Sequence, residues 1–305
     1  VNALQFNENV VTIEIAPGAR PGDSASIKVV PLPGYLSVDS RVITGAAGTE
    51  AEIEVERGKG EESVVLKGSV PLGSGSVSRA VAVGSPTLYY LAALKFTLAS
   101  EGIEVSKCAI RRLSKSAATP TGPLTPLWVH TSPPLSEILK PLLKVSQNLY
   151  AETVTKTLGL VLRQEGSFAM GKEVVEDTLR RMAIEKGTYS YADGSGLSRL
   201  NLISADLLVR IFKYMYRRKE FTSFYDALPI AGVDGTISSR LKGTKAENNV
   251  HAKTGTIANV RSLSGYLRTA DGEMLAFSMI ANNFLVSNRA AEYAQDTALE
   301  RLVNF

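Results

Sequence analysis

Cysteine is almost missing from this 305-residue chain: Cys108 stands alone, which rules out an internal disulfide and a cysteine-based metal cluster. Histidine is nearly as scarce. His130 and His251 lie far apart in sequence and argue against a zinc site. Aromatic residues make up 7%, and the densest basic run is Arg217-Arg218-Lys219, so nucleic acid is excluded as an expected partner. No apolar run reaches the ~20 residues of a membrane span. The chain opens on Val1 with no signal-peptide pattern, which leads to the expectation that it is processed or truncated. What is present is an ordinary globular composition, 44% apolar and 21% charged. Thirty-four Lys and Arg against 30 Asp and Glu give +4, a mild attraction toward acidic polymers.

Residues 1 to about 84 read as β structure. NVVTIEIAPG (9–18), SASIKVVPLPG (24–34), AEIEVERG (51–58) and SVVLKGSVPLG (63–73) are short strand-like runs closed by Gly and Pro. Glu50, Glu52, Glu54 and Glu56 share one strand face and read as a solvated edge. SPTLYYLAALKFTLASEG (85–102) has a Ser cap, a Pro in the first turn and a closing Gly, which predict a helix. The Pro/Thr/Ser-rich stretch 114–126 predicts a linker, dividing a β-rich accessory region, 1–115, from a second domain, 116–305.

In the second domain the patterns predict helices over 134–145, 148–162, 171–187, 204–220 and 288–303. A hairpin over 262–283 turns at Asp271-Gly272. With helices early and strands late, the class is α+β with an antiparallel sheet.

Three short motifs follow one another here: Ser146-Gln147-Asn148, Asp193-Gly194-Ser195-Gly196-Leu197-Ser198-Arg199, and Lys253-Thr254-Gly255-Thr256. Singly, each has a plain structural reading: a helix-capping serine, a glycine-rich turn, a solvated lysine at a strand end. Together and in this order they resemble the low-molecular-mass class C penicillin-binding proteins, the serine D-alanyl-D-alanine carboxypeptidase/endopeptidases. The phrases HTSPPL (130–135), SQNLYAE, DGSGLSR, AGVDGTI (231–237) and AKTGTIANVRSLSGYL carry the resemblance over residues 126–305. NALQFNENVV (2–11) resembles the accessory region that this family inserts between its first and second motifs.

The resemblance implies the penicillin-binding protein/β-lactamase-like transpeptidase fold preceded by a small β-rich domain. It also implies a periplasmic or cell-envelope location, peptidoglycan stem peptides as substrates, and β-lactam antibiotics as ligands. No metal or organic cofactor is implied. It assigns Ser146 to proton relay near the leaving group and Asn148 to the substrate's amide carbonyl. Lys253 takes the relay's positive charge and the substrate carboxylate, with Thr254 and Thr256 as hydroxyl donors to that carboxylate. Gly255 leaves the strand edge open for a substrate lying along it. For Asp193 and Ser195 two readings stay open, contact with substrate or a loop that Asp193 organises and its glycines permit.

The family's acylated serine sits in Ser-x-x-Lys ahead of Ser-x-Asn. The single Ser-x-x-Lys in this chain, Ser239-Arg240-Leu241-Lys242, comes after it in a polar run and reads as a chance match. The expectation is therefore a chain lacking its nucleophile, through truncation or in a paralogue that only binds peptidoglycan peptides.

Overall fold

The computed structural model describes residues 2–60, 62–106, 125 and 128–305. It divides into two compact units, Val1–Thr125 and Pro126–Phe305. Cys108 and all of the expected linker except Thr125 and Pro126 fall between residues 107 and 124, outside the described residues, as does Pro126 itself.

In the first unit, β1 (Val10–Ala16) is flanked by β2 (Ser26–Val30) and β6 (Val77–Ala82), both antiparallel to it. A second sheet places β5 (Ser63–Pro71) between β4 (Glu52–Arg57), antiparallel, and β3 (Ser37–Gly45), parallel. Alternation along β1 sends Val11, Ile13 and Ile15 inward, where they share one core with Val64 and Leu66 of β5. The helix α1 (Pro86–Ser100) adds Tyr89 to that core, and Ser85 caps it through the Leu88 N–H. Glu52, Glu54 and Glu56 are exposed on edge strand β4, and Glu56 pairs with Lys67 across the ladder. Glu50 precedes the strand rather than joining the row.

The second unit carries α2 (Leu135–Lys144), α3 (Asn148–Arg163), α4 (Phe168–Arg181), α5 (Ala205–Tyr216) and α6 (Phe221–Ala227). A three-stranded antiparallel sheet follows, ordered β7 (His251–Ile257), β8 (Val260–Arg268), β9 (Met274–Asn282), and then α7 (Asn288–Val303). Central strand β8 is buried on both faces. Leu263 and Leu267 meet Leu299 and Val303 of α7. Tyr266 points the other way into Phe212 and Leu228, and its hydroxyl donates to the Phe212 carbonyl at 2.6 Å. α4 begins three residues before the predicted start, capped by Ser167, and ends at Arg181 rather than running to Gly187. α5 stops at Tyr216. Residues 217–220 turn the chain into the short α6, which the uninterrupted apolar pattern concealed.

Candidate active site

The junction between α2 and α3 is short and strained. Ser146 adopts a left-handed backbone, φ 60°, which a non-glycine residue holds only where its surroundings enforce it. The capping of α3 falls to Gln147, whose side chain accepts from the Leu149 N–H at 3.3 Å. Ser146 is thus not the helix cap, and its hydroxyl is turned to another partner. That partner is Lys253, whose Nζ donates to Ser146 Oγ at 2.8 Å and to the Thr254 carbonyl at 2.8 Å. Burial holds the Lys253 ammonium down to about 8.

Lys253 lies on β7, the edge of the sheet. Ile230 bridges to His251 at the start of this strand, and the Ala252 N–H donates to the Pro229 carbonyl at 2.9 Å. Beyond Ala252 the outer edge of β7, Lys253 to Thr256, has no strand partner among the described residues, the kind of edge to which an extended peptide can add as a strand. Gly255 has a second reason to be glycine. A Cβ there would collide with the hydroxyl of Ser262, its cross-strand partner. Strand alternation puts Thr254 and Thr256 on the face opposite Lys253. Thr254 Oγ1 lies 2.8 Å from Thr236 Oγ1, and in such a pair one hydroxyl proton stays free for an incoming anion.

Asn148 is exposed at the first position of α3. Four residues on, Glu152 shares its face and accepts from the Ser195 N–H at 2.9 Å. The 193–199 loop is thereby brought to the helix that carries Asn148. Asp193 spends its carboxylate inside the loop. Oδ1 accepts from the Gly196 N–H at 2.6 Å and Asn201 Nδ2 at 2.8 Å, and Oδ2 from the Ser198 N–H at 2.7 Å. These donors hold Asp193 within its own loop, and Ser195 is half-buried with its N–H on Glu152. Gly194 presses on α3: a Cβ there would stand 2.5 Å from Thr155 Oγ1 and 3.0 Å from the Ala151 carbonyl. Gly194→Ala is expected to lower stability by about 2 kcal/mol, read by urea denaturation, because neither obstacle is a flexible tip. A change within ~0.5 kcal/mol would mean the loop is not seated on α3.

His251 is buried, stacks on Tyr225 with 3.9 Å between ring centroids, and has its pKa lowered chiefly by burial. It packs rather than reacts. His130 is exposed and stacked on Trp128 at 5.4 Å. Ser239 and Lys242 are both exposed on turns, so no helical turn brings that lysine to that serine. The sequence reading missed Lys144, Asp234, Thr236 and Glu152. The phrase AGVDGTI contains Asp234 and Thr236, and SQNLYAE contains Glu152; no phrase contains Lys144.

An α+β unit in which a lysine on an edge strand meets a serine at a helix junction is the arrangement of the penicillin-binding protein class. Penicillin binding protein 4 from Haemophilus influenzae superposes with a TM-score of 0.79 at 25% identity, covering 99% of this chain and 68% of that one. The same protein complexed with a β-lactam superposes with a TM-score of 0.74 at 25% identity, over 99% of this chain and 71% of that one. The D-Ala-D-Ala carboxypeptidase 3 (S13) family model matches residues 1–304, and the chain belongs to that family, a low-molecular-mass class C penicillin-binding protein. A D-alanyl-D-alanine carboxypeptidase of Actinomadura sp. (strain R39) is 32% identical over 308 residues, 99% of this chain and 56% of that protein. Penicillin-sensitive carboxypeptidase A of Dictyostelium discoideum is 30% identical over 305 residues, 93% and 56% respectively. The chain spans about half the length of these two curated relatives.

Proposed function

We propose that this chain forms two walls of the cleft of a serine D-alanyl-D-alanine carboxypeptidase/endopeptidase that acts on peptidoglycan stem peptides and is acylated by β-lactams. The observation that carries this is the Lys253 Nζ to Ser146 Oγ hydrogen bond of 2.8 Å, made by a desolvated lysine beside an open strand edge. In the reaction a serine oxygen bonds the penultimate D-Ala carbonyl carbon, the peptide C–N bond breaks, and the departing D-Ala amine takes a proton. Water then attacks the ester and returns the serine. Ser146, hydrogen-bonded to Lys253, is the hydroxyl that hands the proton to that amine. Lys253, Thr254 and Thr256 supply charge and hydroxyl donors to the substrate's terminal carboxylate, and Asn148 a donor to its amide carbonyl. The edge beyond Ala252 pairs with the substrate backbone, and Ser195 closes the opposite rim.

The serine acylated in this scheme is not Ser239, which stands exposed on a turn. The scheme calls for a Ser-x-x-Lys serine, which the experiment below looks for in a protein of the relatives' length. The expected location is the cell envelope; no helix among the described residues is long and apolar enough to cross a membrane. A second reading, a peptidoglycan-binding module without catalysis, is favoured by the same exposed Ser239. Fluorescent penicillin followed by denaturing electrophoresis separates them. The 305 residues alone are expected to take no covalent label, and the family-length protein to be labelled. A family-length protein that stays dark establishes the binding module, and label on Ser239 overturns the assignment of the cleft.

A further inference from the structure

Asp234 and Gly235 of the phrase Ala231 to Ile237, and the lysine that closes α2, take no part in the chemistry above, yet they meet. Lys144 Nζ donates to Asp234 Oδ2 at 2.7 Å and to the Leu228 carbonyl at 2.8 Å. The Lys144 side chain is only 18% exposed, so this is not a solvated surface pair of negligible consequence. The second Asp234 oxygen accepts from the Ile230 N–H at 2.9 Å. Gly235, at φ 62°, sits so close that a Cβ would stand 2.6 Å from the Lys144 carbonyl oxygen. Side chain and backbone of Lys144 are therefore both gripped by Asp234-Gly235.

The same strap is fastened to β7. Thr236 Oγ1 meets Thr254 Oγ1 at 2.8 Å, the Ala252 N–H reaches the Pro229 carbonyl, and the Ala231 N–H reaches the Val250 carbonyl, the last two at 2.9 Å. Lys144 lies two residues before Ser146, and Thr254 directly follows Lys253. One strap, residues 228–236, thus joins the two segments whose side chains form the Ser146–Lys253 hydrogen bond. Ser146 needs such a restraint, because its left-handed backbone relaxes unless the structure holds it.

We propose that the Lys144–Asp234 ion pair, seated by Gly235, is a positioning latch that fixes the α2–α3 junction against β7 and so sets the separation of Ser146 Oγ from Lys253 Nζ. Neither residue touches reacting atoms. The role rests on reading Ser146 and Lys253 as opposite walls of an acyl-transfer cleft, and it gives the AGVDGTI phrase a physical task.

Two simpler accounts compete: a pair that only stabilises the fold, and a pair that acts on Lys253 through space. Asp234→Asn separates all three by sign. Removing a carboxylate lowers a nearby ammonium's pKa through the Coulomb term, whereas opening the latch admits water to Lys253 and raises it. The test is the titration of Lys253 by NMR of its 13C-labelled ε-methylene in the 305-residue chain, with Lys253→Arg identifying the resonance and thermal unfolding recorded for each variant. Asp234→Asn and Lys144→Gln are each expected to raise the Lys253 midpoint by at least about one pH unit, a tenfold change in proton affinity. The double variant should go no further than either single, as for two halves of one device. Gly235→Ala keeps every charge, pushes on the Lys144 carbonyl, and should shift Lys253 upward too; it serves as the test if Asp234→Asn does not fold. A Lys253 midpoint that stays put or falls in a folded Asp234→Asn chain, or stays put in Gly235→Ala, overturns the latch. In the family-length protein Asp234→Asn is expected to slow penicillin acylation about 10- to 100-fold, the scale of a misplacement near 1 Å. If the unaltered family-length protein takes no penicillin, the proposed function falls, while the titration still judges the latch by itself.

Discussion

Replacing Lys253 with alanine in the family-length protein lowers the rate of acylation by penicillin about a thousandfold, ~4 kcal/mol in the activation barrier. The size follows from what the side chain does. Its ammonium is preorganised 2.8 Å from Ser146 Oγ, and burial rather than a salt-bridge partner sets its proton affinity. A charge held in place before the reaction needs no reorganisation during it, which is where single electrostatic groups have their largest effects. Alanine removes the charge, the donor to Ser146 and the positive pole for the substrate carboxylate together. Stopped-flow acylation of the variant and its parent measures the ratio. A loss below about tenfold, ~1.4 kcal/mol, would place the lysine at the periphery of the chemistry.

The same residue destabilises the fold that holds it. Its pKa of about 8, against an ordinary 10.5, corresponds to about 3 kcal/mol of unfavourable burial of the charged form. The sign follows from proton counting. Below pH 8 both folded and unfolded chains keep the proton, so the whole penalty applies. Between 8 and 10.5 the unfolded chain keeps it and the folded one releases it, so stability rises with pH by up to ~1.4 kcal/mol per unit. Lys253→Met retains most of the stem and loses the charge. It is expected to raise unfolding free energy at pH 7 by about 1–2 kcal/mol, the lost hydrogen bonds to Ser146 and Thr254 offsetting part of the gain. The gap to the parent should narrow as pH climbs from 8 toward 10.5. Urea denaturation at pH 7 and pH 9.5 reads both numbers, and a pH-independent gap would show that Lys253 is not desolvated. The two results together, activity lost and stability gained, describe a residue kept for function against the interest of the fold.

Much of this was legible in the chain. Ser85, Ser204 and the Asp271-Gly272 turn mark their elements because caps and hairpin turns depend on a few neighbouring residues. The final helix, expected from about Asn288 to Val303, spans Asn288–Val303, and the structure shows Ser287 capping it. The early end of α5 at Tyr216 was not, since Phe221, Phe224 and Tyr225 continue the apolar pattern across the break. Nor was the parallel pairing of β3 with β5, where β4 intervenes in sequence and lies on the other side of β5 in space.

The site divides in the same way. Residue types and their order carried the family resemblance, and that resemblance was enough to propose Ser146, Asn148 and Lys253 as site residues. Sequence alone also excluded an internal disulfide, since a lone cysteine has no partner in its own chain. Tertiary structure decided that Ser146 and Lys253, 107 positions apart, come within 2.8 Å. It surrounded the Asp193 carboxylate with donors from Gly196, Ser198 and Asn201. It brought Lys144 to Asp234 across 90 positions. Such pairs leave no periodic trace along the chain, because the distance between their side chains is set by the packing of α2 and the sheet rather than by anything either residue's neighbours encode.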